Sequence, residues 1–429
     1  MSGRRVRLED LGAALAGLPE RPRVVASGNG ATPWTLLRAV DGVVADYVLH
    51  LLNPHPGVPE RPGVVLETAF VGPGARCSPR LDYVPSRLSM VPLLFQGPLP
   101  PDLVLVHTST PLDGKVSLGA EVNVLPSAIE AVRERGGLVV AQVDPGVPYV
   151  YGDGELSLDL VDLVVEAEDP LGHPVPTPAD DEARAIADRV AARIVDGSTL
   201  QLGIGAVPDA VLAGLRDRSG LRIWTEMVSD GVLGLERRGR LDDTRPITAS
   251  FLLGSEELYR WAHRNPRLRL LRTETTNDPA CIARNPLMVS VNTALQVDLY
   301  GQVNASRIRG RIHSGFGGQT DFIVGALHAP GGQALIALRS WHPRADVSTV
   351  VPMVEEPVTS FQPSAVVTEQ GTATLFGRSQ RRQVEELIDR AAHPRVREEL
   401  WEEARALGLH AQPDLTDSAG RSVHPSPTG

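Results

Sequence analysis

The chain has 429 residues, of which 42% are hydrophobic and 22% charged, and its formal net charge is −10. This length predicts two or three domains, and the apolar fraction is that of an ordinary globular protein with a sizeable core. The acidic excess argues against a nucleic acid or an anionic membrane as the main partner, although local arginines and backbone N–H groups can still bind a small anion.

Targeting and cofactor signals are sparse. No uninterrupted apolar run is long enough to span a membrane, and charges lie where a signal peptide needs an apolar core, so we predict a cytoplasmic protein. The two cysteines, Cys77 and Cys281, make neither a disulfide framework nor a zinc site, and no HExxH or CxxC pattern occurs, so no metal is expected. Lys115 is the only lysine, which excludes a lysine-ended phosphate loop and disfavours pyridoxal phosphate chemistry.

Strand-like apolar runs alternate with amphipathic helical runs along the chain, a pattern typical of an α/β fold with a largely parallel sheet. A proline-rich segment over 169–178 predicts a linker, after which Asp180 is expected to cap a helix that Gly197 ends. We therefore predict an N-terminal domain over 1–178, a C-terminal domain over 179–410 and a disordered tail over 411–429.

The two halves resemble each other in sequence. In the first, VVAS is followed by GNGATP (28–33) and the helical run WTLLRAV; in the second, LQL is followed by GIGAVP (203–208) and DAVLAGL. A weaker similarity relates 103–119 to 288–306. We infer a duplication, and we predict two related open α/β domains with a site in the cleft between them.

Glu226 ends a strand-like run over 221–225 and is followed by a predicted breaker, Ser229-Asp230-Gly231. Ligands of open α/β sheets bind beyond the carboxyl ends of the strands, so an acid there is either a site residue or an ordinary surface acid. A carboxylate flanked by glycine-rich backbone donors suits covalent catalysis at an activated acyl carbon. His313, His328 and His342 are expected to be ordinary residues.

Two further segments accompany Glu226. The glycines of SGFGGQTDF (314–322) predict either a backbone cradle for a ligand or very close packing, and the sequence leaves both open. If 295–298 is a strand, Gln296 and Asp298 share one face of it. Neither GxGAxP turn completes GxGxxG, which disfavours a dinucleotide-dependent oxidoreductase.

Five segments occur in one order: GSTLQLGIGAVPDAVL, TEMVSDGVLGL, SGFGGQTDF, VTEQGTATLFG and AAHPRVREELW. Together they resemble the acetyl-CoA hydrolase/transferase family, and within it the 4-hydroxybutyrate CoA-transferase branch. The resemblance is strong from Asp180 to Leu409 and thinner before it. The chain has Glu369-Gln370-Gly371 where relatives often have Glu-Tyr-Gly, and ATLFG where they have ADLRG, so the resemblance does not carry over the identity of the substrate.

The resemblance implies a class I CoA-transferase of two related α/β domains, with no metal and no permanently bound cofactor. It implies that CoA passes from an acyl-CoA to a small carboxylic acid, acetate-like or 4-hydroxybutyrate-like, through a thioester on the catalytic Glu226. Some relatives place the catalytic glutamate where this chain has Gln296, which cannot form an anhydride, so the match selects Glu226. The implied CoA-binding residues are Gly203, Ile204, Gly205, Ala206, Val207, Leu295 and Gly318, with Gln296, Gly317 and Gln319 as pocket residues. A homodimer or larger homo-oligomer is also implied.

Two other functions stay open at this point. Water instead of a carboxylate would make the same glutamate an acyl-CoA hydrolase. A non-catalytic protein could use the glycine turns to bind CoA or a nucleotide.

Overall fold

The computed structural model describes residues 3–175, 178–203 and 205–409. Most of the predicted linker falls within these ranges, whereas the predicted tail and the predicted CoA-binding residue Ile204 lie outside the described residues.

The first half of the chain builds an eight-stranded sheet. This half of the chain contains β1 (Arg4–Arg5), α1 (Leu11–Ala14), β2 (Arg23–Ala26), α2 (Trp34–Val43), β3 (Tyr47–His50), β4 (Val64–Thr68), β5 (Leu81–Tyr83), α3 (Val91–Gln96), β6 (Leu103–Thr108), β7 (Lys115–Ser117), α4 (Leu125–Glu134), β8 (Leu138–Val143), β9 (Glu155–Ser157) and β10 (Leu163–Glu166), of which β7 and β9 pair with each other outside the sheet. The spatial order is β1-β10-β8-β6-β2-β3-β4-β5. Every neighbouring pair in it is parallel, as expected for strands connected through helices.

The second half builds a six-stranded sheet. Its helices are α5 (Asp181–Ala191), α6 (Ala206–Gly214), α7 (Asp230–Arg237), α8 (Glu256–Ala262), α9 (Thr273–Thr276), α10 (Pro279–Ile282), α11 (Gln319–His328), α12 (Gln380–Glu386) and α13 (Arg397–Ala406). Its strands are β11 (Thr199–Leu202), β12 (Arg222–Ile223), β13 (Met227–Val228), β14 (Ile247–Ala249), β15 (Phe251–Leu252), β16 (Leu268–Leu270), β17 (Met288–Asn292), β18 (Gln296–Asp298), β19 (Val303–Asn304), β20 (Arg307–Ile308), β21 (Arg311–Ile312), β22 (Gln333–Ala337), β23 (Trp341–His342), β24 (Val347–Ser348), β25 (Val350–Val351), β26 (Ala365–Val367) and β27 (Thr372–Thr374). The sheet order is β12-β11-β17-β22-β26-β27, parallel except for the last pair.

The two sheets share a strand order. Five adjacent strands of the first sheet have the spatial order β3-β2-β6-β8-β10. The corresponding five strands of the second sheet have the order β12-β11-β17-β22-β26. The similar segments match by position, because β2-α2-β3 corresponds to β11-α6-β12 and β6 corresponds to β17. The predicted fold class, two related open α/β units, is therefore confirmed, whereas the exact domain boundaries stay a prediction.

Local predictions in the second half are only partly right. The carboxylate of Asp180 accepts the backbone N–H of Ala183 at 3.0 Å, so it caps α5 as predicted, but α5 ends at Ala191, well before Gly197. The expected breaker after Glu226 is wrong, because α7 begins there. Glycine suits that helix at Gly231, since a Cβ at this position would lie 2.5 Å from Leu212 on α6.

Apolar side chains from both sheets fill the core. One large buried cluster includes Val25 and Val104 of the first sheet together with Leu200 and Val291 of the second. Among the helices of the described ranges, none is long and apolar enough to cross a membrane.

Candidate active site

The carboxyl ends of strands from both sheets meet at a cavity of about 350 Å³. Residues that follow β2, β3, β4, β11, β12 and β17 line it, respectively Asn29, Asn53, Phe70, Gly203, Glu226 and Thr293. This is the edge at which parallel α/β sheets bind ligands. The six loops belong to distant parts of the sequence, so the cavity forms only when the two sheets face each other.

The Glu226 side chain is half-buried and lines this cavity. Its backbone carbonyl accepts the N–H groups of Ser250 at 2.9 Å and Phe251 at 3.1 Å, which fixes the bend between β12 and β13. Its Oε2 atom accepts a hydrogen bond from Asn277 Nδ2 at 3.0 Å. Within the described ranges, Oε1 accepts no hydrogen bond, so one carboxylate oxygen is held and the other is free to react.

A chain of polar groups sets the orientation of the Asn277 amide. The Thr276 hydroxyl donates to Asn277 Oδ1 at 2.9 Å, so the amide nitrogen must face Glu226. Ser250 Oγ lies 2.5 Å from Thr276 Oγ1, and the Trp224 indole N–H donates to the Thr276 carbonyl at 3.0 Å. Asn277 is fully buried, so its amide has little freedom to turn away from the carboxylate.

The electrostatic surroundings make Glu226 unusually basic. Burial raises the pKa of its carboxyl group to about 7, because the charged form loses hydration. The hydrogen bond from Asn277 lowers this pKa, and the negative charge of Asp321 raises it. Among the described residues, no lysine, arginine or histidine forms an ion pair with Glu226. A carboxylate with a pKa near neutrality is a stronger nucleophile than a surface carboxylate and is still ionised at neutral pH in a large fraction of molecules.

The glycine segment 314–318 is packed closely against its surroundings. Backbone N–H groups of the first half donate to it, from Val71 to the Ser314 carbonyl at 2.7 Å and from Leu88 to the Gly317 carbonyl at 3.0 Å. A Cβ on Gly318 would lie 2.1 Å from Glu226 Oε2 and 2.4 Å from Asn277 Nδ2. Glycine is therefore required where this loop passes the carboxylate, so close packing explains the motif. A role as a ligand cradle stays a prediction.

The structure brings part of the predicted set together. Gly203, Glu226, Gly317, Gly318 and Gln319 line the cavity. Gly205, Ala206 and Val207 lie at the start of α6, beside the cavity residues Gly203 and Pro208. Leu295 and Gln296 lie just before and at the start of β18 and are not among the residues that line the cavity. Asp298, on the same strand, accepts backbone N–H groups from Tyr300, Gln302 and Val354, so its role is structural.

Asn277 and the cavity wall from the first half of the chain were not predicted from the sequence. Three asparagines of that wall, Asn29, Asn53 and Asn123, have positive φ angles of +47°, +48° and +35°. Asparagine adopts this left-handed conformation more readily than most residues, so its place after a strand was the available signal. Asn277 lies in the segment TTND (275–278), which carries no motif or strand-end pattern that would have predicted a site residue.

The described part of the chain was predicted to hold neither a metal site nor a disulfide. No cluster of three or more His, Cys, Asp or Glu side chains there has a geometry that could hold a metal ion. Both cysteines are free thiols, Cys77 exposed and Cys281 half-buried.

Comparisons with known proteins show which family the chain resembles. Residues 254–404 match the model of the acetyl-CoA hydrolase/transferase C-terminal domain. The chain is 35% identical to the 4-hydroxybutyrate coenzyme A transferase of Clostridium kluyveri over 91% of this chain and 95% of that protein. It is 32% identical to the succinyl-CoA:acetate/propanoyl-CoA:succinate CoA transferase of Fasciola hepatica over 89% and 84% of the two chains.

A solved structure shows the same fold over nearly the whole chain. The crystal structure of RipA from Yersinia pestis superposes with a TM-score of 0.87 at 27% identity, covering 95% of this chain and 98% of that one. The sequence prediction of family and enzymatic character is thereby confirmed, and this chain is an enzyme of the acetyl-CoA hydrolase/transferase family.

Proposed function

We propose that this enzyme transfers CoA from an acyl-CoA to a small carboxylic acid, with Glu226 as the covalent catalyst. The observation that carries the proposal is the state of that carboxylate. Its Oε2 is held by Asn277, its Oε1 accepts no hydrogen bond among the described residues, and burial raises the pKa of the group to about 7. Such a group is a positioned nucleophile in a cavity at the carboxyl ends of the strands.

The proposed reaction begins with attack of Glu226 Oε1 on the thioester carbonyl carbon. The carbon–sulfur bond breaks, which leaves an acyl-glutamyl anhydride and CoA thiolate. The thiolate then attacks the glutamyl carbonyl, so that the first acid leaves as a carboxylate and a glutamyl-CoA thioester remains. A second carboxylate enters and the same steps run in reverse. Each step moves one negative charge and needs no proton transfer, and the kinetics are ping-pong.

The binding geometry supplies most of the rate in this proposal. A carboxylate in water is a weak nucleophile toward a thioester, but holding the two together can supply an effective molarity on the order of 10⁵–10⁸ M. The cavity of about 350 Å³ accommodates a short acyl group and the thioester end of CoA, but not the whole CoA molecule. Binding of the remote part of CoA can then be used to drive the chemistry at the reacting carbon.

We assign the rest of CoA to the surface around the start of α6. Gly203, Gly205, Ala206 and Val207 lie there, and the N–H groups of a helix N-terminus favour phosphate. Gly318 joins them from the opposite loop, next to Glu226. Leu295, outside the cavity lining, would contact CoA only beyond the acyl pocket. An acceptor resembling acetate or 4-hydroxybutyrate, a homodimer and a cytoplasmic location remain parts of the same proposal.

Hydrolysis through the same glutamate is the main alternative, because the family contains acetyl-CoA hydrolases as well as transferases. The two differ in what resolves the glutamyl-CoA thioester. Loss of acyl-CoA that depends on an added carboxylate supports transfer, and loss that is independent of it supports hydrolysis. Binding of CoA without turnover of any acyl-CoA would support the non-catalytic alternative.

The decisive experiment traps the intermediate. The enzyme is incubated with acyl-CoA, reduced with borohydride, and mapped by peptide mass spectrometry. We expect modification at Glu226 alone, absent in Glu226→Gln and retained in Glu398→Gln, a matched substitution of an exposed glutamate on α13. Modification of another residue, or full turnover by Glu226→Gln, would contradict the proposal.

A further inference from the structure

The walls of the cavity lack basic side chains. None of the described residues that line it is an arginine, a lysine or a histidine. An anion that is buried without a cation loses its hydration and gains no ion pair in return, which makes its burial costly. The reaction proposed above concerns the carboxyl group of the acid at Glu226 and leaves the rest of that acid undefined.

One wall of the cavity is built by β13 and β15. Met227 on β13 lies beside Phe251 on β15, and both pack with Leu253 in a cluster that is separate from the larger cores. These three side chains line the cavity, and we call them the apolar face. They are 6%, 7% and 5% exposed, so a group that lies against them is shielded from water.

The alternation of side chains along the two strands explains the apolar face. Successive side chains of a strand point to opposite sides of it. Val228 and Leu252, the second residues of β13 and β15, lie in the large buried cluster that joins the two sheets. Met227, Phe251 and Leu253 point the other way, so they shape the cavity and do not belong to that core.

The apolar lining reaches the proposed catalytic carboxylate from both halves of the chain. From the second half, Met227 follows Glu226 directly. From the first half, the Phe70 ring lines the cavity beside the glycine segment, because a Cβ on Gly317 would lie 3.0 Å from Phe70 Cε2. A Cβ on the next residue, Gly318, would lie 2.1 Å from Glu226 Oε2. An acyl group joined to Glu226 therefore extends between aromatic and aliphatic side chains.

The polar side chains of the lining do not replace the missing cation. Asn29 Nδ2 lies 3.0 and 2.9 Å from the two carboxylate oxygens of Glu121, to which Asn123 Nδ2 also donates at 2.8 Å. Asn53 Nδ2 donates to Asn29 Oδ1 at 3.1 Å. These amide nitrogens already face protein acceptors, and the ionisable group behind them is another acid. Gln201 lies on β11, beside the turn that we assign to CoA.

We propose that the acids exchanged at this site are monocarboxylic acids with an uncharged, apolar tail longer than the methyl group of acetate, and that dicarboxylic acids are excluded. This inference rests on the proposed function and adds the substrate class to it. The single carboxyl group reacts at Glu226, and the tail lies on the apolar face.

The two half-reactions impose the same requirement. The acid that leaves in the first is replaced by another in the second, and both occupy the space between Glu226 and the apolar face. An apolar tail gains the free energy of leaving water there. A second carboxylate in the same place would be buried without a cation. The same order of preference is therefore expected for the acyl groups of the donors and for the acceptor acids.

The test measures kcat/KM for a series of acids with acetyl-CoA as the fixed donor. In a ping-pong reaction this parameter reports only the second half-reaction, in which the acid meets the glutamyl-CoA enzyme. From acetate through propionate to butyrate we expect a rise of about fourfold for each methylene group, the factor that corresponds to burying it.

A size-matched pair of acids isolates the effect of charge. Succinate and 4-methylpentanoate have equal numbers of non-hydrogen atoms, but one ends in a second carboxylate and the other in an isopropyl group. We expect kcat/KM for succinate to be at least about 10²-fold lower than for 4-methylpentanoate at neutral pH and above.

Two neighbouring residues of β13 test where the tail lies. Met227→Ala removes part of the apolar face and should lower the ratio of kcat/KM for butyrate to that for acetate by about fourfold or more. Val228→Ala is the matched control, because this side chain points into the core and its loss should leave the ratio unchanged. If Met227→Ala does not fold, Phe251→Leu is measured in the same way. An unchanged ratio would reject the apolar face as the place of the tail.

The outcomes separate this inference from the proposed function. If the Glu226 adduct forms but succinate equals 4-methylpentanoate, or butyrate is no better than acetate, the inference is overturned and the proposed function stands. Absence of the Glu226 adduct would overturn the proposed function and, with it, this inference.

Discussion

The closest contact at the proposed catalytic group predicts the effect of one methyl group. A Cβ added at Gly318 would lie 2.1 Å from Glu226 Oε2 and 2.4 Å from Asn277 Nδ2. Gly318 has φ −94° and ψ 0°, which alanine adopts without strain, so Gly318→Ala changes the contact and not the backbone preference. Carbon and oxygen must separate by about 1 Å more, and Asn277 is fully buried, so the carboxylate has to move. A misplacement of about 1 Å can cost on the order of 10²-fold in rate.

The assay for Gly318→Ala measures the rate of Glu226 adduct formation from acyl-CoA together with steady-state CoA transfer. We expect both to fall about 10²-fold, with a loss of stability of roughly 1–3 kcal/mol from overpacking. Gly42→Ala is the matched control, because it lies in α2 and a Cβ there would meet nothing within 4 Å. A wild-type rate of adduct formation in Gly318→Ala would show that the position of this carboxylate does not limit the reaction.

Two further predictions concern the pKa of Glu226. Asn277→Leu removes the hydrogen bond that favours the ionised form of Glu226. Because such a bond is worth about 1.5–3 kcal/mol, the acidic limb of kcat/KM for acyl-CoA plotted against pH should move up by roughly one to two pH units. An unmoved limb would contradict the assignment of this limb to Glu226. Because the pKa of Glu226 is raised in the folded state, ionisation costs stability as the pH rises from its unfolded pKa through about 7. Glu226→Gln should therefore stabilise the protein at pH 8 by up to about 3 kcal/mol and should give no such gain at pH 4, as thermal unfolding at the two pH values will show.

The fold could be predicted from local signals because the duplication repeats them. The strand–glycine turn–helix unit occurs at β2-α2 and again at β11-α6, and each copy occupies the same place in its sheet. The cap of α5 could also be predicted, because an aspartate just before an amphipathic helix can accept a hydrogen bond from a first-turn N–H group. The start of α7 was not, because Gly231 suggests a turn and the reason for it is the close approach of Leu212.

Some residues of the candidate site could be predicted from the sequence and others could not. Glu226 could be named as a candidate because it follows a strand-like run, where α/β sheets bind ligands, and the family resemblance then selected it over an ordinary surface acid. The three asparagines of the cavity wall could not, since their loops are separated from Glu226 by long stretches of chain and meet it only because the two sheets face each other. The glycines of 314–318 left two explanations open, and only the distance to Glu226 Oε2 shows that a side chain at Gly318 would displace the carboxylate.

Buried acids without a close cation around Glu226 are an unexpected setting for a reaction between a carboxylate and an acyl-CoA. Glu226, Glu121 and Asp321 all have raised pKa values, and among the described residues only Arg87, 3.9 Å from Asp321, offers any of them a cation. The proposed chemistry accounts for this, because each step passes a single negative charge between oxygen and sulfur and never creates a second one. A fixed cation beside Glu226 would stabilise the negative charge most strongly while it is on the resting carboxylate. This would slow the attack of that carboxylate on the thioester. Surroundings without a cation instead leave the reacting oxygen of Glu226 without a strong partner.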